Sequence, residues 1–443
     1  MPVNDMKPVC VGLLGLGTVG GGTVCVLDRN AEEIFRRAGR GIRITHAAAK
    51  EYNPDAIPGI EKIDRITDDA FEVVNDPDVD IIIELIGGYS PALELVMRAI
   101  ENGKHVITAN KALIARHGNE IFTAAQEKGV TVAFEAAVAG GIPIIKSVRE
   151  GLAANQISLI AGIINGTGNY ILTEMREKGR DFDDVLREAQ ELGYAEADPS
   201  FDVEGIDAAH KLTILASLAF GIPLQFDKTY TEGITKLEQE DVSYADELGY
   251  RIKHLGITRK NEKGIELRVH PTLIPATRLI ANVNGVMNAL LVWGDAVGPT
   301  LYYGAGAGSQ PTASAVIADV IDVVRALTTD PGNRVPHLAF QPHELTDTPI
   351  LKIDEVETAY YLRMEAVDKP GVLADVTRIL GDSGISIEAI LQKEPKPEAS
   401  HVPIIMLTQR VVEKNMNAAI AKIQQLDVIA GEVIRIRVES LIQ

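Results

Sequence analysis

The chain has 443 residues, 46% of them hydrophobic and 24% charged, which is length enough for two to four domains with ample core. Lys plus Arg is 43 against 62 Asp plus Glu, a net charge of −19 that opposes attraction to nucleic acid or anionic lipid. No apolar run approaches the ~18 residues a membrane span needs, and the N-terminus carries no signal-peptide pattern. Cys10 and Cys25 lack zinc-type spacing, so the expectation is a cytoplasmic protein whose two thiols are small buried side chains.

Residues 9–14 read as a strand, and Gly15-Leu16-Gly17-Thr18-Val19-Gly20 as a glycine turn opening a helix through residue 27. Strand-like runs follow at 42–49, 79–86 and 105–108, the last after a helical pattern over 91–102, and 130–134 continues the alternation. Strands alternating with helices predict an α/β fold with a doubly wound parallel sheet of Rossmann type. Gly140-Gly141-Ile142-Pro143 breaks that rhythm. Two further glycine clusters lie at 165–169 and 304–308, and Pro311 predicts the first turn of an alanine-rich helix to residue 327. Pro331, Pro336, Pro342 and Pro349 make 331–358 a connecting segment. Beyond it, a strand (360–367), a helix (372–380), strands (385–391 and 402–408), a helix (415–425) and a strand (433–438) give a βαββαβ, ferredoxin-like order. The expected divisions are 1–135, 136–310, 311–330, 331–358 and 359–443.

A GxGxxG that follows a strand and opens a helix has physical meaning: Gly15 permits the tight turn, Gly17 lets backbone approach a pyrophosphate, and Gly20 allows close packing. Such a site takes NAD or NADP. The second strand ends Ala47-Ala48-Ala49-Lys50-Glu51, where an acid for the ribose 2′-hydroxyl is usual. Lys50 could meet a 2′-phosphate and Glu51 a plain ribose, so the reading leans to NADP, with Lys50 as a solvated surface charge the alternative.

Five acids fall within twelve residues: Glu196, Asp198, Asp202, Glu204 and Asp207. Lys211 stands one helical turn after Asp207, and positions 207, 211, 214 and 218 share a stripe that is otherwise apolar. Opposite charges there form either a structural ion pair or a site where lysine gives a proton to a substrate oxygen. The surrounding acids, which could receive a substrate ammonium, favour the second. His210 and His105 are expected to be packed, structural histidines.

These residues resemble homoserine dehydrogenases, NAD(P)-dependent enzymes that interconvert L-homoserine and L-aspartate 4-semialdehyde. The resemblance rests on the glycine turn, Thr108-Ala109-Asn110-Lys111, Asn165-Gly166-Thr167-Gly168-Asn169-Tyr170, the run from Leu192 through Pro199, Asp207-Ala208-Ala209-His210-Lys211, and the 304–308 glycines followed by Pro311-Thr312-Ala313-Ser314. It implies Lys211 as acid/base with Asp207 beside it, and Glu196, Tyr194, Asp202, Gly166 and Thr167 as substrate residues. Lys111 would sit between cofactor and substrate, and Gly306 by the cofactor. It further implies a monovalent cation, sodium, held at Glu135, Val138, Gly140 and Ile142, and a homo-oligomer, dimer or tetramer. The middle segment would then bind substrate and dimerise, with helix 311–330 returning to the nucleotide domain.

Asp368-Lys369-Pro370-Gly371-Val372-Leu373 is similar to the turn of ACT domains, which bind amino acids. The implied effector is threonine. With no aspartokinase segment in the sequence, a single-function form is expected, serving threonine, methionine and isoleucine biosynthesis. A related reductase of another amino-acid aldehyde, or a non-catalytic metabolite sensor, are the rival readings; Asp207 with Lys211 speaks against the sensor.

Overall fold

The structure, a computed structural model, describes residues 7–328, 330–393 and 401–441. It divides into two compact units. The first takes in residues up to Ile160, Asp207–Thr229 and Val286–Thr348; the second takes in Ala161–Ile206, Tyr230–Gly285 and the chain from Pro349 onward. The stretch 136–310, expected as one domain, is thus shared between them. Among the described residues, no helix is long and apolar enough to cross a membrane.

In the first unit six parallel strands, β1 (Val9–Leu14), β2 (Ile42–Ala48), β3 (Arg65–Thr67), β4 (Ile81–Glu84), β5 (His105–Thr108) and β6 (Val132–Ala133), lie in the order β3-β2-β1-β4-β5-β6. The order reverses between β1 and β4, where a doubly wound sheet leaves its ligand crevice. β4 is Ile-Ile-Ile-Glu, buried throughout, as a parallel strand covered on both faces requires. The connecting helices are α1 (Thr18–Arg29), α2 (Ala31–Ala38), α3 (Ala70–Asn75), α4 (Ala92–Glu101) and α5 (Lys111–Lys128). The sequence reading missed α2, α3, α5 and β3. α2 buries only Ile34 and α3 spans six residues, so neither offers a long apolar stripe.

Helix Ser309–Ala326 packs on α1 in this unit and contributes Val316, Val320 and Val323 to the core around Val11, Leu13, Ile81 and Ile107. The helices approach so closely that a Cβ on Gly22 would lie 2.7 Å from the Ser309 carbonyl oxygen, while Ser309 Oγ donates to Thr18 O at 2.9 Å. Pro311 is the third residue of this helix and so lies in its first turn, as expected. Cys10 and Cys25 are half-buried rather than fully enclosed; Cys25 Sγ lies 3.7 Å from Gln310 Nε2.

The second unit contains, side by side, strands Tyr250–Asn261, Gly264–Pro275, Ile429–Val438, Glu357–Val367, His401–Thr408 and Ile387–Gln392. The last four, with helices Val372–Asp382 and Glu413–Ile423, make the βαββαβ module around Tyr360, Leu362, Val376, Met406 and Met416. This module is built into a larger sheet. Its terminal strand pairs in parallel with Gly264–Pro275, setting Thr272 against Arg437 and Leu273 against Val438. Buried charges reinforce the seam: Arg437 donates to Glu413 Oε2 and to Glu232 Oε2, each at 2.8 Å, and Arg363 Nε donates to Asp241 Oδ1 at 2.6 Å. Removing one member of such a pair strands a buried charge, at a cost of about 3–5 kcal/mol.

Candidate functional site

The nucleotide turn leaves β1 through Gly15, whose φ of +100° is a left-handed conformation open to glycine, and where a Cβ would lie 2.8 Å from Leu85 O. A Cβ on Gly20 would run into the Gly15 carbonyl, so this glycine closes the turn on itself. Gly17 has nothing within 4 Å of its Cβ position, leaving the backbone open to an approaching group. Leu16 is buried in the core, Val19 half-buried, and Thr18 is exposed at the helix N-terminus. Lys50 and Glu51 are exposed, just beyond the end of β2.

The sequence reading missed Glu84, a fully buried carboxylate ending β4. Its Oε1 accepts the N–H groups of Ile86 and Gly87 at 2.8 and 3.0 Å, and its Oε2 accepts Thr108 Oγ1 at 2.7 Å. An acid closing an apolar run was the available signal. Asn110 then caps α5 by accepting Leu113 N at 3.1 Å, and its amide donates to Gly88 O at 2.6 Å. Through these bonds the Thr108–Lys111 motif is fixed to the loop after β4.

Lys111, the first residue of α5, reaches Asp207 Oδ1 at 3.1 Å, and Lys211 donates to Asp207 Oδ2 at 2.7 Å. One carboxylate thus receives two ammonium groups. Asp207 and Lys211 are 3% and 7% exposed on helix Ile206–Phe220, whereas the Lys111 side chain is one-third exposed. His210 stacks on Phe226 with centroids 4.1 Å apart and lies 3.4 Å from Tyr89 Oη through Nε2. His105 is buried too, and its Nδ1 accepts Thr131 N at 3.0 Å.

The residues expected to bind substrate through its ammonium and carboxylate groups belong to the second unit. Asn165 caps helix Gly166–Lys178, accepting Gly168 N at 2.8 Å, and donates from its amide to Asp202 Oδ1 at 2.7 Å. Thr167 Oγ1 donates to Tyr194 O at 2.5 Å, and the Tyr194 ring meets Tyr170 edge-on. Glu196 and Tyr194 are exposed and Gly166 is half-buried. Two of the five acids have local partners. Asp198 accepts Ser200 N and Oγ, bonds that lower its pKa, and Glu204 accepts Thr235 Oγ1.

In the first unit, Glu135 Oε1 and Oε2 accept Ile145 N and Lys146 N at 2.9 and 2.8 Å. Burial, then the neighbouring Asp319, raises its pKa to about 7. Val138, Gly140 and Ile142 are buried beside it in irregular chain, with Ala139 and Gly140 at φ of +57° and +49°. Gly306 packs against the Asn288 amide, and its carbonyl oxygen lies 2.6 Å from where a Gly140 Cβ would be. In the second unit, Asp368, Lys369, Gly371, Gln392 and Ile404 line a cavity of about 340 Å³.

A family model described as "Homoserine dehydrogenase" matches residues 143–321, one described as "Homoserine dehydrogenase, NAD binding domain" matches 15–135, and one described as "ACT domain" matches 360–427. Homoserine dehydrogenase of Pseudomonas aeruginosa is 68% identical over 98% of this chain and 100% of its own length. The crystal structure of a homoserine dehydrogenase from Thiobacillus denitrificans, also 68% identical, superposes with a TM-score of 0.93 over 98% of this chain and 99% of that one. A hyperthermophilic archaeal homoserine dehydrogenase, solved in complex with NADPH, is 25% identical and covers 72% of this chain and 98% of its own, with a TM-score of 0.61. The fold, the nucleotide turn and these matches agree: the chain is an NAD(P)-dependent oxidoreductase with a C-terminal ACT domain and belongs to the homoserine dehydrogenase family.

Proposed function

We propose that the chain interconverts L-homoserine and L-aspartate 4-semialdehyde with Lys211 as the proton-transferring group. The observation that carries this is the buried Asp207 carboxylate shared by Lys211 and Lys111. The nicotinamide, when bound, accepts or supplies the hydride. In reduction, the Lys211 ammonium stabilises the charge that develops on the aldehyde oxygen and gives it a proton, leaving a neutral amine; in oxidation the amine takes that proton back. Asp207 holds the lysine in place in both directions. Lys111 adds a second positive charge between cofactor and substrate.

Glu196, Tyr194 and Asp202 are assigned to the substrate ammonium side, and Gly166 and Thr167 to its carboxylate, where a helix N-terminus supplies N–H groups. Leu16, Thr18, Val19 and Gly306 line the dinucleotide with the three turn glycines. Lys50, exposed at the end of β2, is assigned to a 2′-phosphate, which favours NADP over NAD. A monovalent cation, sodium, fits Glu135 with main-chain oxygens of Val138, Gly140 and Ile142. Two successive left-handed residues there turn the carbonyls irregularly, and a buried carboxylate with a raised pKa is a group that a cation would stabilise in its charged form.

The ACT cavity is of a size for one amino acid, and threonine is the proposed effector. The pathway would be threonine, methionine and isoleucine biosynthesis, with the chain in a cytoplasmic dimer or tetramer. Steady-state kinetics with homoserine, each dinucleotide and threonine as a variable test the whole reading. Turnover of homoserine is expected. The threonine assignment fails if calorimetry gives no heat and the rate does not change.

A further inference from the structure

Strand Tyr250–Asn261 places His254 inside the second unit, 6% exposed, against both chain segments that lead into proposed catalytic or substrate residues. Its Cε1 and Nε2 lie 3.1 and 3.2 Å from where a Cβ on Gly205 would be, and Nδ1 lies 3.7 Å from the corresponding point on Gly168. Gly168 is the residue whose N–H closes the Asn165 cap, and Gly205 stands two positions ahead of Asp207. With Val269 Cγ1 the ring takes up the space a side chain at Gly205 would need, and with Ile234 Cδ1 it lies at ordinary van der Waals distance from that of Gly168.

A single hydrogen bond orients this ring. Nε2 donates to the Glu232 carbonyl at 2.9 Å, and Nδ1 meets no hydrogen-bond partner among the described residues. Burial keeps the ring neutral, with its pKa lowered to about 4, so one proton is available and the carbonyl requires it on Nε2. Glu232 is itself held: its side chain accepts Tyr230 Oη at 2.6 Å and Arg437 Nη1 at 2.8 Å, and its N–H donates to Val269 O at 2.8 Å.

We propose that His254 is a positioning residue for substrate, holding the Asn165–Asn169 turn in register with the Glu232 carbonyl that the ACT domain's last strand fixes through Arg437. This rests on the reading of that turn as part of the substrate site. Loss of the one orienting bond frees the side chain at 254 to shift, and the Asn165 cap at Gly168 loses one of the two side chains, His254 and Ile234, that pack beside it.

The experiment compares two His254 variants, with one at Thr167 as a control, by steady-state kinetics on the intact enzyme. His254→Leu cannot donate to Glu232; His254→Gln can. The leucine variant is expected to raise the homoserine KM about tenfold, the equivalent of one buried hydrogen bond, with dinucleotide KM and kcat changed less than about threefold. The glutamine variant is expected to recover most of that loss. Where the leucine variant does not fold, His254→Asn, too short to reach Glu232, takes its place. An unchanged homoserine KM, an equal rise in both variants, or a parallel rise in dinucleotide KM overturns the inference. Thr167→Ala in the same assay separates the two readings: if it leaves homoserine KM unchanged, the turn itself is not a substrate element, whereas a rise there alongside a neutral His254→Leu refutes only the role of His254.

Discussion

Lys211 donates to Asp207, one turn earlier on the same helix, at 2.7 Å, and both side chains are less than one-tenth exposed. A buried pair of this kind gives up hydration that its mutual attraction does not fully return, so it is poorly explained as a stability device. As a preset proton donor beside a carboxylate that also receives Lys111, it has a use. Lys211→Ala is expected to lower turnover by a factor on the order of 10² or more while the dinucleotide Kd changes less than about threefold, since only the transition state loses its proton donor. Comparable turnover in the variant, measured in both directions, would refute the assignment.

Lys50 is exposed beyond β2, open either to a 2′-phosphate or to solvent alone. Lys50→Ala is expected to lower the ratio of NADP to NAD kcat/KM by about tenfold, the scale of a charge-assisted hydrogen bond to phosphate. A ratio that stays where it was removes Lys50 from the cofactor site.

Gly20 leaves no room for a methyl group, because the Gly15 carbonyl occupies the place. In Gly20→Ala the turn must open, a change of about 1–3 kcal/mol for an overpacked site. The dinucleotide Kd, followed by its fluorescence, is expected to rise at least tenfold. A variant that binds as tightly as the parent shows that the turn adapts.

Two neutral histidines pin β6. His105 Nδ1 accepts Thr131 N, and His337 Nε2 accepts Val132 N at 3.1 Å while stacking on Phe122. Burial lowers both pKa values to about 4, against an ordinary 6.5. Between those values the unfolded chain holds protons that the folded one refuses, so stability falls as pH drops from about 6.5 to about 4. Glu135 and Asp319, raised to about 7 and about 6 mainly by burial, bind protons more readily when folded and work in the opposite direction. His337→Gln keeps an acceptor without the titration. Its Tm deficit at pH 7.5 is expected to shrink by a few degrees at pH 4.5, measured by calorimetry.

Much of this was legible in the sequence for a local reason. The glycine turn, the alternation of β1, β4 and β5 with helices, the ACT order after residue 358 and the one-turn spacing of Asp207 and Lys211 depend on backbone conformation and periodicity, which neighbours along the chain decide. The caps at Asn110 and Asn165 were present as motifs, but their jobs lay in bonds to Leu113 and Gly168.

What only the tertiary structure decided involves partners distant in the chain. Glu84 meets Thr108, Lys111 meets Asp207, Gly22 yields to Ser309, and Arg437 of the last strand is buried between Glu413 and Glu232. Each is fixed by packing density and by the need to satisfy a buried charge, and neither demand has a period that a sequence can display. The ACT domain shows the difference most plainly: its βαββαβ order is written in hydrophobic spacing, whereas the pairing of its final strand with Gly264–Pro275 follows from which sheet edge lay open to it.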